Sequence, residues 1–217
     1  MRILITAGPT REYLDPVRFL SNPSTGTFGF LIARAAREKK HTVTVIAGPV
    51  SSREREGIPV VHVVSAQEMY QAVMERIPYF DALVMSAAVT DWRPVIHSSE
   101  KLKEKKSWSL QLDPNPDILQ KTSLQRRNQR MITIGFAVES SDLIENGMKK
   151  LKKKDLDLIL VNGPENFGEN PEKARIYLIW KNGENENCSG FSKKRLAGRI
   201  VKELERFIAL KEKDITK

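Results

Sequence analysis

The chain has 217 residues, 40% hydrophobic and 29% charged, with a formal net charge of +9 and a single cysteine. This length buries a core without disulfides or structural metal, and the composition excludes a disordered, collagen-like or disulfide-stapled chain. Met1-Arg2 leads into an apolar run too short for a signal-peptide core or a bilayer span. The sequence therefore places the chain in the cytoplasm, where Cys188 stays reduced.

Short runs rich in Val and Ile recur at Ile3–Ala7, Thr42–Ala47, Val60–Val64, Ala82–Ala88, Ile132–Ala137 and Leu156–Val161, separated by helical patterns. Continuous apolar strands alternating with helices predict an α/β fold: a Rossmann-like three-layer domain with a mostly parallel sheet and helices on both faces. The first long helix should bury Phe28, Leu31, Ile32, Ala35 and Ala36 as one stripe. The last should follow a Ser192 N-cap and bury Leu196, Ala197, Ile200, Val201, Leu204 and Ile208 against the sheet. Ile176–Trp180, entering a tight turn at Lys181–Glu184, reads as an antiparallel edge strand. No linker divides the chain, which reads as one domain over residues 1–210 with a frayed tail over 211–217.

Two stretches interrupt the alternation. One is Thr10–Pro23. The other, Trp92–Pro114, is a charged flap after the fourth of these strands that leads into the strand-like alternation Trp108-Ser109-Leu110-Gln111-Leu112. Long excursions of this kind in a compact domain are usually functional.

The ends of the strands carry the candidate chemistry. Gly8 closes the first strand, and Ser24, Thr25, Gly26 and Gly29 open the first long helix, where small residues let backbone N–H groups and the helix N-terminus meet a phosphate. The same glycines can also serve only as turns and close-packing points. The interrupting residues spoil the contiguous G-x-G-x-x-G of a dinucleotide site.

Within the interruption, Arg18 can grip a carboxylate or phosphate and Asn22 can donate to an oxyanion; a surface pair with Asp15 and a turn asparagine are the plainer readings. Ser86, Ala87 and Ala88 are small enough for a sugar or base to lie against backbone, and Asp91 can bind a hydroxyl or magnesium. Asn115-Pro116-Asp117-Ile118 reads as a helix start with Asn115 as N-cap and Pro116 at the first position. Phe136 can flank a base or sit in the core, and Lys150 and Lys154 share one helix face. The dense run Lys149–Lys154 is either a ligand surface or a solvated face. No metal-ligand spacing, nucleophile elbow or Walker sequence appears.

In order along the chain, Ile-Thr-Ala-Gly-Pro-Thr-Arg-Glu at 5–12, Asp-Pro-Val-Arg-Phe-Leu-Ser-Asn at 15–22, the Ser/Thr-Gly-x-x-Gly turn at 24–29, Ala-Ala-Val-Thr-Asp-Trp-Arg-Pro at 87–94, Asn-Pro-Asp-Ile at 115–118 and Gly-Phe-Ala-Val-Glu at 135–139 resemble the phosphopantothenate–cysteine ligase family. The resemblance implies that the carboxylate of 4′-phosphopantothenate attacks the α-phosphate of CTP, or less readily ATP, with Mg2+ held mainly by the nucleotide phosphates. L-cysteine then displaces the nucleotide monophosphate. It implies that Asn22 converts the acyl-nucleotide intermediate, assisted by Arg18 and by Ala88 lining the pocket, and that Lys101 serves intermediate formation. Asp91, Pro116, Asp117, Ile118, Leu119, Phe136, Lys150 and Lys154 hold the nucleotide, with Gly8, Ser86 and Ala87 beside it.

It further implies a homodimer whose 92–114 flap crosses to the other subunit, and no nucleic-acid or membrane partner. Because Met1 opens the ligase-like pattern directly, decarboxylation of the product is expected on a separate chain. Pro23, Thr27 and Glu104 depart from the family pattern, which weakens side-chain phosphate contact at Thr27 and the alignment of Lys105 and Lys106. A dinucleotide-dependent oxidoreductase and a basic nucleic-acid-binding module remain the alternatives. The first predicts an acidic residue closing the second strand, where Ala47-Gly48-Pro49 stands; the second predicts salt-dependent DNA or RNA binding.

Overall fold

A computed structural model of the chain describes residues 1–51, 57–103, 107–126, 131–167 and 174–215; Glu104, Lys105 and Lys106 of the flap lie outside the described residues. Eight strands form one sheet. Its parallel part comprises β1 (Arg2–Ala7), β4 (Thr42–Ala47), β5 (Val60–His62), β6 (Ala82–Met85), β9 (Ile132–Val138) and β10 (Leu158–Asn162). At one edge β11 (Ile176–Trp180) runs antiparallel to β10, as its turn chemistry predicts, and β12 (Asn185–Asn187) adds a further antiparallel strand. The turn between them closes through Gly183 at φ 94°.

Alternation along the strands sorts side chains between two cores. Ile3, Ile5 and Ala7 of β1 face α1 (Thr27–Glu38) and α5 (Lys193–Ile215), whereas Leu4 faces the layer of α2 (Ala66–Arg76), α3 (Ile118–Arg126) and α4 (Leu143–Lys153). The same period-two division runs through Ala82 and Val84 against Leu83 and Met85, and through Leu158 and Leu160 against Ile159 and Val161. Both faces are thereby covered, which is why these strands read as continuous apolar runs. Each fully buried Leu, Ile or Phe contributes roughly 1.5–3 kcal/mol relative to exposure.

Several local expectations shift. In α1 the fully buried residues include Phe30 and Ala33 besides Ile32 and Ala36, while Phe28, Leu31 and Ala35 are half-buried. The helix lies between the sheet and α5, so a wider arc of it is covered than a single sheet-facing stripe requires. The α5 helix is capped by Ser192, whose Oγ accepts the Arg195 N–H at 3.2 Å, and continues through Ile215.

Asp117, not Asn115, caps α3: its Oδ1 accepts the Gln120 N–H at 3.1 Å. The Asn115 carboxamide is engaged instead with Thr90 and Arg93. Among the described residues of the flap, β7 (Trp92–Pro94) pairs with β8 (Leu112–Pro114), and Trp108–Gln111 is not strand: beyond the ladder the Val95 N–H still donates to Gln111 O at 3.1 Å, but the pairing does not continue past it. The Thr10–Pro23 interruption folds as a hairpin of β2 (Arg11–Tyr13) and β3 (Phe19–Ser21).

Candidate active site

The chain leaves β1 toward β4 on one side, whereas β6 lies on the other. A sheet whose winding reverses in this way leaves a crevice beyond the carboxyl ends of its strands. A cavity of about 740 Å³ occupies that position, spanning the ends of β6, β9 and β10 and the start of α1.

The floor is set by close packing. Gly26, at φ 78°, is the left-handed N-cap of α1, and a Cβ there would lie 3.1 Å from the Gly8 nitrogen. A Cβ on Gly29 would stand 2.7 Å from both the Ala7 Cβ and the Ser86 Oγ. The first turn of α1 thus rests directly on β1 and β6, with its N-terminal N–H groups at the cavity. Gly8, at φ 77°, lies beneath this loop and does not line the cavity; its carbonyl accepts the Ala88 N–H at 2.9 Å. The buried Thr6 hydroxyl takes the Ala87 N–H at 3.2 Å, and Ser86 Oγ donates to the Thr6 carbonyl at 2.6 Å. These bonds fix the small residues Ser86–Ala88 at the cavity wall.

Most of the residues singled out from the sequence converge here: Asn22, Ser24, Thr25, Gly26, Gly29, Ser86, Ala87, Ala88, Asp91, Pro116, Asp117, Ile118, Leu119, Phe136, Lys150 and Lys154 all line the cavity. Phe136 is half-buried and meets Phe28 edge-on, with ring centroids 5.4 Å apart. Lys154 pairs with Asp117 at 3.1 Å, and Lys150 pairs with Glu139. With Lys149 paired to Glu145, three of the run's five lysines are met by carboxylates of this chain, and two of them belong to the cavity. Asn22 Nδ2 donates to Val89 O at 3.0 Å and to Ala88 O at 3.3 Å, so its donors are engaged with the backbone of the facing loop.

Arg18 and Lys101 lie elsewhere. Asp15, fully buried, accepts the N–H groups of Val17 and Arg18 at 2.8 Å and of Leu102 at 3.2 Å, and pairs with the Arg18 guanidinium at 3.0 Å. Although burial opposes its charge, those donors hold the carboxyl below its ordinary range. Arg18 also donates to Leu102 O at 2.9 Å, which fixes Lys101 beside it on the hairpin–flap layer.

The far wall escaped sequence reading: Leu160, Asn162, Ile176, Lys193 and Leu196 also line the cavity. Asn162 closes β10, so its place beyond a strand end was the available signal. Lys193 and Leu196 arrive from α5, and nothing local marks them. Among the described residues no three His, Cys, Asp or Glu side chains are grouped to hold a metal. Cys188 is buried, which, together with Glu186 nearby, pushes its thiol up to about 11 and leaves it a poor nucleophile. No helix among the described residues is long and apolar enough to cross a membrane.

Residues 1–208 match the family model described as DNA/pantothenate metabolism flavoprotein C-terminal domain. The chain is 39% identical over 208 residues to the coenzyme A biosynthesis bifunctional protein CoaBC of Vibrio vulnificus (strain YJ016), covering 94% of this chain and 51% of that protein. It is 38% identical over 208 residues to the protein of the same name from Haemophilus influenzae, with the same coverage of 94% and 51%. The chain therefore spans about half the length of the curated relatives it matches. Its fold superposes on the crystal structure of the C-terminal domain of a CoaBC with a TM-score of 0.80 and 32% identity, covering 96% of this chain and 95% of that one.

Proposed function

This chain belongs to the DNA/pantothenate metabolism flavoprotein C-terminal domain family, and from that premise we propose that it is a phosphopantothenate–cysteine ligase acting in coenzyme A biosynthesis. The observation that carries the reading is the cavity itself. The family-like segments at 22–29, 86–91, 115–119 and 136, distant in sequence, line one strand-end crevice with Lys150 and Lys154. The similarity to the carboxyl-terminal domain of CoaBC proteins supports the same reading.

The nucleotide, CTP in preference to ATP, occupies this cavity. Backbone N–H groups at the start of α1 and the ammonium groups of Lys150 and Lys154 meet phosphate charge, Phe136 flanks the base, and Asp91 is the free-standing acidic side chain at the phosphate end. Of the two aspartates on the cavity Asp117 is paired to Lys154, so Mg2+ would be held chiefly by nucleotide phosphates with Asp91 nearest to assist, and would supply charge neutralisation for the leaving pyrophosphate. The carboxylate of 4′-phosphopantothenate attacks the α-phosphorus and expels pyrophosphate. The amine of L-cysteine then attacks the acyl carbon, loses a proton and expels the nucleotide monophosphate. Asn22 and Ala88 border the acyl group in this second step.

Arg18 and Lys101 reach a site only from outside the cavity that their own chain lines, so the reading includes a homodimer in which the flap of one copy covers the other. Trp92, Ile96 and Trp108 on that flap, 52%, 77% and 59% exposed, are the apolar surface such a contact would cover. The reaction runs in the cytoplasm, and decarboxylation of its product falls to a separate active site.

The test is pyrophosphate release from CTP and from ATP with phosphopantothenate present and cysteine absent, followed by addition of cysteine. Release in the first stage and 4′-phosphopantothenoylcysteine in the second are expected. Folded protein that turns over neither nucleotide refutes the proposal.

A further inference from the structure

The hairpin inserted after β1 carries a fully buried carboxylate, Asp15, that the proposed reaction does not use. Its two oxygens have different partners. Oδ1 accepts the N–H groups of Val17 and Arg18, each at 2.8 Å, and so closes the turn between β2 and β3. Oδ2 accepts from Arg18 Nη1 at 3.0 Å and from the Leu102 N–H at 3.2 Å, and so joins that turn to the flap.

Two further bonds complete the joint. Arg18 Nη1 also donates to Leu102 O at 2.9 Å, and the Ser98 N–H donates to Leu14 O at 2.9 Å, so the flap segment from Ser98 to Leu102 is docked on the hairpin at both ends. Lys101 stands between those ends, exposed and with no ion-pair partner among the described residues. Arg18 is 46% exposed, and Nη1 is the only nitrogen of its guanidinium engaged among the described residues. The Nε–Nη2 edge therefore keeps two parallel donors, the pair that meets both oxygens of a carboxylate or phosphate. An ordinary surface ion pair explains neither the complete burial of Asp15 nor its bond to the flap backbone.

We propose that Asp15 is a positioning residue: through its two oxygens it sets Arg18 and Lys101 as one unit, so that a single carboxylate serves both chemical steps of the ligase. The inference rests on the reading above, in which Lys101 serves formation of the acyl-nucleotide and Arg18 assists its conversion. Asp15 does not line the cavity, and it acts only by where it holds the two cations.

The test is Asp15→Asn, which can keep one oxygen for the Val17 and Arg18 N–H groups but sets its amide donors against Arg18 Nη1 and the Leu102 N–H. Pyrophosphate release with CTP and phosphopantothenate, and conversion of the intermediate once cysteine is added, should both slow by about ten- to a hundredfold, while nucleotide affinity by calorimetry holds. Hydrogen exchange should accelerate at the Leu102 N–H and hold at the Arg18 N–H. Adding Asp15→Asn to Arg18→Ala should slow conversion no further, because the carboxylate acts on that step through Arg18. The variant should also lower the thermal midpoint, since buried bonds are lost, so rates are compared at a temperature where both proteins are fully folded.

Normal rates in both steps or unchanged Leu102 exchange overturn the proposal, and so does a defect confined to one step, since the carboxylate then does not join them. Additivity in the double variant overturns it as well. Nucleotide affinity lost in step with the rates makes Asp15 a structural anchor and has the same consequence. Wild-type protein that releases no pyrophosphate removes the ligase reading and this inference together, whereas an active wild type beside an unimpaired variant removes the inference alone. If Asp15→Asn does not fold, Asp15→Ser, which keeps a turn acceptor and lacks the second oxygen, carries the same measurements with the same refuting results.

Discussion

The strand-end cavity and the hairpin–flap layer hold their charges in different ways. In the cavity, Lys150 and Lys154 stand on one face of α4, each beside a carboxylate of its own chain, over a floor of small residues fixed by β1 and β6. On the hairpin–flap layer, Arg18 is gathered by one buried carboxylate, Asp15, which also takes the Leu102 N–H and so sets Lys101 alongside. The flap meanwhile leaves Trp92, Ile96 and Trp108 exposed. Lys150 and Lys154 line the cavity of their own chain, whereas Arg18 and Lys101 do not. The difference implies that nucleotide binding and the chemistry that follows depend on separately held groups, which substitutions should pull apart.

The largest effect is expected at Asn22, on the border between the two regions. Asn22→Ala should lower formation of the cysteine-containing product by about a hundredfold or more while pyrophosphate release continues and acyl-nucleotide accumulates. Mass analysis of the quenched mixture measures this, and ordinary product yield would remove Asn22 from the second step.

Next comes Lys101→Ala, which should reduce pyrophosphate release by roughly tenfold or more with little change in nucleotide affinity, since Lys101 lies outside its own chain's cavity. Single-turnover assays beside calorimetry check it. Weakened nucleotide binding with an unaltered chemical step would merge the two regions.

The smallest effect is expected for Lys154→Met, with the opposite pattern: nucleotide affinity down by up to about tenfold and the chemical step nearly preserved at saturating nucleotide. The same assays check it, and a kcat collapse at unchanged affinity would reverse the assignment.

Much of this was legible along the chain. The inner parallel strands were visible because a strand buried on both faces must be apolar throughout, the edge strand β5 by its Val60-Val61 pair, and the antiparallel edge because its turn needs Lys181-Asn182-Gly183 chemistry. The small residues at Gly26, Gly29 and Ser86–Ala88 announced a backbone approach, and the structure shows how tight it is. Misplacing the α3 cap had a local cause: Asn115 and Asp117 are both good capping residues two positions apart, and only the demand of Thr90 and Arg93 for the Asn115 carboxamide leaves Asp117 to cap. The Trp108–Gln111 alternation looked like a strand because its pattern fits one, but a strand also needs a neighbour to pair with.

By itself, the sequence determined the alternation of strands and helices, the sheet's double burial and the residues that meet at the strand ends, because periodicity, turn chemistry and residue size act over a few neighbouring positions. Only the tertiary structure decided that Leu160, Asn162, Ile176, Lys193 and Leu196 close the far wall, and that Arg18 and Lys101 stand apart from the cavity. Those relations join residues far apart in the chain, and they arise from strand order and helix packing, which no local pattern encodes.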